Sequence, residues 1–163
     1  MVGSIEDIKL AVEGLHYESS RRYRVKAAGL TRFDNFGHCM DGALVGALLA
    51  ESLDMPPLIM CMQMQRWIRR VGHAVTVLKT EEGFTSAGLS RHGSLRSRRE
   101  VFRNPLDLAQ SYDVAAKELG YSMRCMAVFD LSTFPHDWRG YQGNLPSITH
   151  HFLDRNPDCF QTL

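Results

Sequence analysis

The 163-residue sequence has no long apolar run, no closely spaced cysteine pair and almost no excess of charge of either sign. No segment approaches the ~18 consecutive apolar residues of a membrane span, and residues 1–30 carry charged side chains where a signal peptide would be apolar. The formal net charge of +1 excludes a global field that would steer the protein to nucleic acid or to a membrane. We therefore expect a cytoplasmic protein, with neither nucleic acid nor a membrane among its partners.

The four cysteines lie too far apart for a zinc-site spacing or for the disulfide framework of a small secreted protein. In a reducing compartment each is expected to be a free thiol, either packed or reactive. The tandem His150 and His151 have only Asp154 nearby, which leaves a metal site incomplete. We predict no metal and no cofactor.

The length and the 44% hydrophobic content are typical of one domain, spanning residues 1–163. Apolar periodicity predicts a helix behind Ser4 and another over residues 105–119, with mostly loop over 19–37. Residues 39–54 are apolar on nearly every face, which indicates a buried helix that stops before Pro56 and Pro57.

Short apolar runs predict a set of antiparallel strands and so an α+β fold. These runs cover residues 58–64, 73–79, 84–87 and 123–131, with a polar loop over 88–104 and a short helix near 147–153. Met60, Met62 and Met64 alternate along the first run, so they share a face that we expect to pack against the buried helix.

Cys39 stands at the predicted start of the buried helix, behind a glycine-containing loop. The partial positive charge of a helix N-terminus stabilises a thiolate, and its free N–H groups can hold an oxyanion. A small buried hydrophobe is the structural alternative for a cysteine at this position.

His73 begins the second predicted strand, which favours a ring at the sheet edge rather than in the core. A cysteine at a helix start and a histidine at a strand start are what a thiol nucleophile and its general base require. A lone structural histidine is the alternative. The hypothesis therefore rests on Cys39 and His73 together and not on either residue alone.

These blocks resemble the core of the transglutaminase-like cysteine enzymes. The resemblance rests on Cys39 followed by ALVGALL at 43–49, on the proline pair, on GHAVTV at 72–77 and on Gly83 with Phe84. Residues 89–98 (LSRHGSLRSR) and 106–112 (LDLAQSY) are similar to a bacterial branch of that superfamily. The resemblance extends over residues 30–155 and implies a papain-like fold, in which the helix bearing Cys39 packs on an antiparallel sheet bearing His73.

The resemblance implies an aspartate after the histidine strand, but this chain has Gly88 near that position. Ser90 is the candidate third catalytic residue, with Ser86 and His92 as alternates, since a hydroxyl or a second imidazole can accept from the imidazole N–H. Asp130 or Asp154 could substitute, or the site could be degenerate.

Four residues are candidates for substrate binding: Asn35, Trp67, Arg70 and Arg91. Asn35 could direct its amide at an oxyanion, although turn chemistry explains the Asp-Asn-Phe-Gly stretch better. Arginines in two loops could hold an anionic group, with Trp67 as a stacking surface, and a solvated loop is the alternative.

Together these features predict cysteine-dependent acyl transfer from, or hydrolysis of, an amide or thioester, through a thioester on Cys39. The expected substrate is a small-molecule or carrier-bound carbonyl compound, in a bacterial biosynthetic pathway. The alternative is a non-catalytic binding or scaffold protein on a degenerate transglutaminase-like fold, since the aspartate is missing.

Overall fold

A central antiparallel sheet organises the chain in the computed structural model, which describes residues 2–19, 24–133 and 138–140, with the backbone of 143–144 and 161–162. The α-helices of these residues are α1 (Ile5–Glu13), α2 (Ala28–Asp34), α3 (Cys39–Glu51) and α4 (Pro105–Glu118). The strands are β1 (His16–Tyr17), β2 (Arg24–Val25), β3 (Phe36–Gly37), β4 (Leu58–Arg66), β5 (Arg69–Lys79), β6 (Phe84–Ala87), β7 (Arg98–Phe102), β8 (Ser122–Asp130), β9 (Gly143–Asn144) and β10 (Gln161–Thr162). The predicted α+β class is confirmed.

Five strands form the sheet in the order β8-β4-β5-β6-β7, and the short β10 pairs with the outer edge of β8. The β4–β5 hairpin is in register from Leu58 opposite Val77 to Arg66 opposite Arg69, so only two residues form its turn. Two small pairings lie beside the sheet: β1 runs parallel to β3, and β2 pairs with β9.

Capping residues explain where two helices begin. Ser4 caps α1, since its hydroxyl accepts from the Asp7 N–H at 3.2 Å. Asn104 caps α4 in the same way toward the Asp107 N–H at 2.9 Å, and Pro105 occupies the first turn. Both helices were predicted from sequence and are confirmed.

The two faces of the sheet carry separate cores. On one face α3 packs on β5, with α1 and α2 behind it, around a core that includes Ile8, Leu44 and Ile59. On the other face α4 packs across the sheet, and its Leu108 lies in a second core with Val75 of β5. The buried helix predicted from its apolar composition is α3, and its predicted packing on an antiparallel sheet is confirmed.

Three predictions along the chain were wrong. The predicted loop over 19–37 contains α2, whose first residue Ala28 and whose Thr31 are buried although no side chain caps the helix. The predicted loop over 88–104 contains β7, which extends the sheet beyond β6. The alternating methionines do share a face, but they lie in the core on the α4 side rather than against α3. In each case the structure depends on tertiary packing, which the local sequence pattern does not reveal.

None of the helices within the described ranges is long and apolar enough to cross a membrane. The predicted short helix at 147–153 and the pair His150 and His151 lie outside the described residues, as does Asp154.

Candidate functional site

Cys39 is the first residue of α3, and a buried carboxylate shapes the chain that leads into it. The His38 N–H donates to Asp41 Oδ2 at 2.7 Å, and the Lys26 N–H donates to Asp41 Oδ1 at 2.8 Å. Gly37 is required beside them, because a Cβ there would lie 2.7 Å from Asp41 Cβ. Asp41 therefore holds the preceding loop and the helix start in one arrangement.

The thiol of Cys39 lies against the imidazole of the residue before it. Cys39 Sγ is 3.1 Å from His38 Nδ1, and His38 Nε2 is 3.0 Å from the Tyr17 hydroxyl. The two rings of Tyr17 and His38 are tilted at 40° with centroids 5.2 Å apart. The parallel pairing of β1 with β3, which sets Tyr17 opposite Gly37, brings the tyrosine to this place. We call Tyr17, His38 and Cys39 the thiol cluster.

Burial keeps the groups of the thiol cluster uncharged near neutral pH. It raises the pKa of Cys39, which is 4% exposed, to about 12, although the backbone N–H groups of Ala74, Met40 and Cys39 itself act to lower it. Burial lowers the pKa of His38 and raises that of Tyr17 to about 12. The resting pair is therefore a thiol and a neutral imidazole.

Backbone N–H groups from α3 and β5 interact with the sulfur of Cys39. They lower the pKa of the thiol, because they stabilise its anionic form. Two of them belong to the first turn of α3, where N–H groups have no partner within the helix. The third belongs to Ala74 of β5. The arrangement can therefore stabilise negative charge that develops on or beside the sulfur.

His73 does not meet Cys39. It lies inside β5, 7% exposed, where its Nε2–H donates to the Leu95 carbonyl at 2.8 Å and its ring lies 5.8 Å from that of Tyr112 on α4. Its neighbour Ala74 belongs to the core on the α3 side. Because side chains alternate across a strand, His73 faces the α4 side of the sheet, away from Cys39.

The predicted edge position of His73 is therefore corrected. The two-residue hairpin turn lets β5 begin at Arg69, four residues earlier than predicted, so His73 falls within the sheet. Burial lowers its pKa to about 4, which keeps its ring neutral at pH 7.

The candidate third residues make bonds away from His73. Ser90 Oγ accepts from the His92 N–H at 3.1 Å, and His92 Nε2 accepts from Arg91 at 3.0 Å, so both stabilise their own loop. Ser86 bonds with the Tyr112 hydroxyl at 2.8 Å. The alternate Asp130 accepts from the N–H and hydroxyl of Ser132 and serves a local turn.

The candidate substrate-binding residues are separated. Asn35 ends α2 in a left-handed conformation (φ 59°), which supports the turn interpretation. Trp67 and Arg70 lie at and beside the tip of the β4–β5 hairpin. Arg91 is the one of the four whose charge acts on the thiol cluster, where it opposes the rise in the pKa of Tyr17.

Sequence reasoning missed His38 and Tyr17. The signal for His38 was its position directly before Cys39, where an extended residue ahead of a helix can turn its side chain onto the first helical residue. The sequence pattern favours instead a histidine distant in sequence, His73. Tyr17 carried no local signal, because the β1–β3 pairing that places it is a tertiary contact.

Within the ranges that the structure describes, no group of three or more His, Cys, Asp or Glu side chains is arranged to hold a metal ion. No protein-family model and no curated protein matches the chain.

Proposed function

We propose that the chain is a transglutaminase-like cysteine enzyme of papain-like fold, which transfers or hydrolyses the acyl group of an amide or thioester. The nucleophile is Cys39 and the general base is His38. The observation that carries the proposal is the 3.1 Å contact of Cys39 Sγ with His38 Nδ1 at the start of α3.

The base differs from the one that the family resemblance implies. His73 faces the other side of the sheet and donates to a backbone carbonyl, whereas His38 touches the sulfur. Tyr17 acts as a positioning residue: when Nε2 of His38 carries the ring proton, it donates a hydrogen bond to the Tyr17 oxygen, and Nδ1 is then the unprotonated nitrogen that can take the thiol proton.

The reaction begins from the neutral pair. Cys39 Sγ attacks the carbonyl carbon as His38 Nδ1 takes the thiol proton, and the carbonyl π electrons move to the oxygen. When this oxyanion collapses, the C–N or C–S bond breaks and His38 gives its proton to the leaving amine or thiol. Water or an amine then attacks the thioester, with His38 again as the base, and Cys39 leaves as a thiolate that recovers the proton.

The raised pKa of Cys39 makes the base necessary. A thiol with a pKa of about 12 is almost entirely protonated at pH 7, so attack needs a group that takes the proton in the same step. The neutral imidazole of His38, whose pKa is lowered by burial, has that capacity. The substrate is a small-molecule or carrier-bound carbonyl compound, and the charge of Arg91, which acts on Tyr17, favours one with an anionic group.

The test is acetylation by p-nitrophenyl acetate, mapped by peptide mass spectrometry. We expect an acetyl group on Cys39 that hydroxylamine removes, no acetylation at that position in Cys39→Ser, and a rate lowered about a hundredfold in His38→Asn. The matched control is His16→Asn, an exposed histidine on the same strand as Tyr17, which should leave the rate unchanged. Equal rates for wild type and His38→Asn would overturn the role of His38.

The alternative function, a binding protein without catalysis, is favoured by the near-complete burial of the Cys39 thiol. That function predicts no acetyl group on Cys39 in the folded protein, and acetylation there only after unfolding in urea.

A further inference from the structure

The tip of the β4–β5 hairpin exposes two large apolar side chains that the cores do not use. Trp67 is 88% exposed and Ile68 is 95% exposed. They form the two-residue turn between Arg66 and Arg69. We call residues 66–70 the tip patch.

The turn chemistry does not account for these two residues. Two-residue hairpin turns favour Asn-Gly or Asp-Gly, because their central residues take positive φ. Trp67 adopts φ 56°, a conformation that is costly for a bulky side chain, and the Gln65 amide donates to its carbonyl at 2.6 Å. An unfavourable backbone conformation at an exposed tryptophan that the core does not use indicates a role at the surface.

Arginines surround the apolar pair. Arg66, Arg69 and Arg70 all belong to the tip patch, and all three are exposed. Among the described residues, none of these three arginines forms a salt bridge. A shallow cavity of about 280 Å³ lies at the base of the turn, lined by Arg66, Trp67, Ile68, Arg69 and Tyr121.

We propose that the tip patch binds the surface of an anionic lipid bilayer. Trp67 and Ile68 would enter the interfacial layer, where tryptophan is favoured, while the arginines contact lipid phosphates. Two adjacent apolar side chains at the end of a hairpin are few for the core of a protein interface, but they suit shallow insertion. This local recognition departs from the expectation of no membrane partner, which rested on the net charge of the whole chain.

The test is co-sedimentation of the full chain with vesicles of phosphatidylcholine, with or without about one part in four of phosphatidylglycerol. We expect binding only to the anionic vesicles, weakened at least about tenfold by the double change Trp67→Ser and Ile68→Ser. The control is Phe33→Ser, which removes another apolar side chain, 86% exposed on α2, and should not change binding. Unchanged binding by the double variant would overturn the proposal.

Two double variants with the same change of charge distinguish binding through the tip patch from general electrostatic attraction between the protein and the vesicles. Arg69→Glu with Arg70→Glu should abolish binding, whereas Arg99→Glu with Arg103→Glu, which makes the same change of charge at two exposed positions outside the tip patch, should retain most of it. Equal losses for the two pairs would contradict a local site.

Tryptophan fluorescence reports insertion directly, because the chain has two tryptophans and Trp138 is already buried. We expect a blue shift on addition of anionic vesicles that is absent in Trp67→Ser. If a single-stranded oligonucleotide or polyglutamate shifts the emission and vesicles do not, the partner is another polyanion or a protein, and the lipid proposal is wrong.

Discussion

At the scale of single residues, the local backbone rather than long-range pairing places an imidazole beside Cys39. His38 precedes α3 in an extended conformation (φ −95°, ψ 177°), and its imidazole lies beside the sulfur of the next residue. The position of Cys39 at a helix start could be predicted from the glycine-containing loop and the apolar run behind it. The side of the sheet that His73 faces could not be predicted, because it depends on where β5 begins.

The buried His73 predicts a loss of stability in acid. Its folded-state pKa is lowered to about 4, so between pH 6.5 and pH 4 the unfolded chain binds a proton that the folded chain does not. The neutral His73 therefore makes its full contribution to the free energy of unfolding above about pH 6.5. That free energy falls by up to about 3 kcal/mol as the pH drops to about 4.

Urea unfolding at a series of pH values checks this expectation. His73→Gln keeps a side-chain N–H for the Leu95 carbonyl but does not titrate, so part of the acid dependence should disappear. The exposed His16→Gln should leave the dependence unchanged. If His73→Gln shows the full wild-type slope between pH 6.5 and pH 4, the burial of a neutral His73 is wrong.

At the scale of elements, the contact of α3 with β5 positions Cys39 over the sheet. The Thr76 hydroxyl donates to the Ala43 carbonyl at 2.8 Å, and Gly46 allows the strand to approach the helix. A buried helix was predictable from residues that are apolar on every face. The partner strand β5 was also predictable as an apolar run. The sequence does not show, however, which face of each strand meets α3: the alternating methionines of β4 face α4.

Substitution of Gly46 tests this contact. In Gly46→Ala the new Cβ would overlap Thr76 Oγ1, so we expect a loss of about 2 kcal/mol or more in the free energy of unfolding. Gly29→Ala in α2, where a Cβ meets nothing within 4 Å, should instead stabilise the protein by about 0.5–1 kcal/mol.

The double variant with Thr76→Ala identifies the cause of that loss. Removal of the threonine side chain should recover part of the stability in the Gly46→Ala background, although the hydrogen bond to Ala43 is lost. Strictly additive effects would show that the close approach of α3 to β5 is not the origin of the loss.

At the scale of the whole molecule, the sheet separates the two residues that the sequence pattern paired. The α3 face carries the thiol cluster, and the α4 face carries His73 with Tyr112 and Ser86. The α+β class, the helices α1, α3 and α4 and the strands β4, β5, β6 and β8 follow from local periodicity and capping, whereas the two-residue turn that joins β4 to β5 was not predicted. The short elements α2, β1, β3 and β7 form through tertiary contacts, and three of them frame the thiol cluster or the chain leading to it.

The central claim is that His38 takes the proton from Cys39, and the pH dependence of Cys39 acetylation by p-nitrophenyl acetate tests it most directly. Because burial lowers the pKa of His38 below 6.5, the wild-type rate should level off above about pH 6.5 and fall only below it. In His38→Asn the reaction needs the thiolate, so the rate should be low and should rise steadily from about pH 6 to about pH 9, toward the thiol pKa of about 12. A wild-type profile that rises steadily in the same way, with no plateau, would contradict the account.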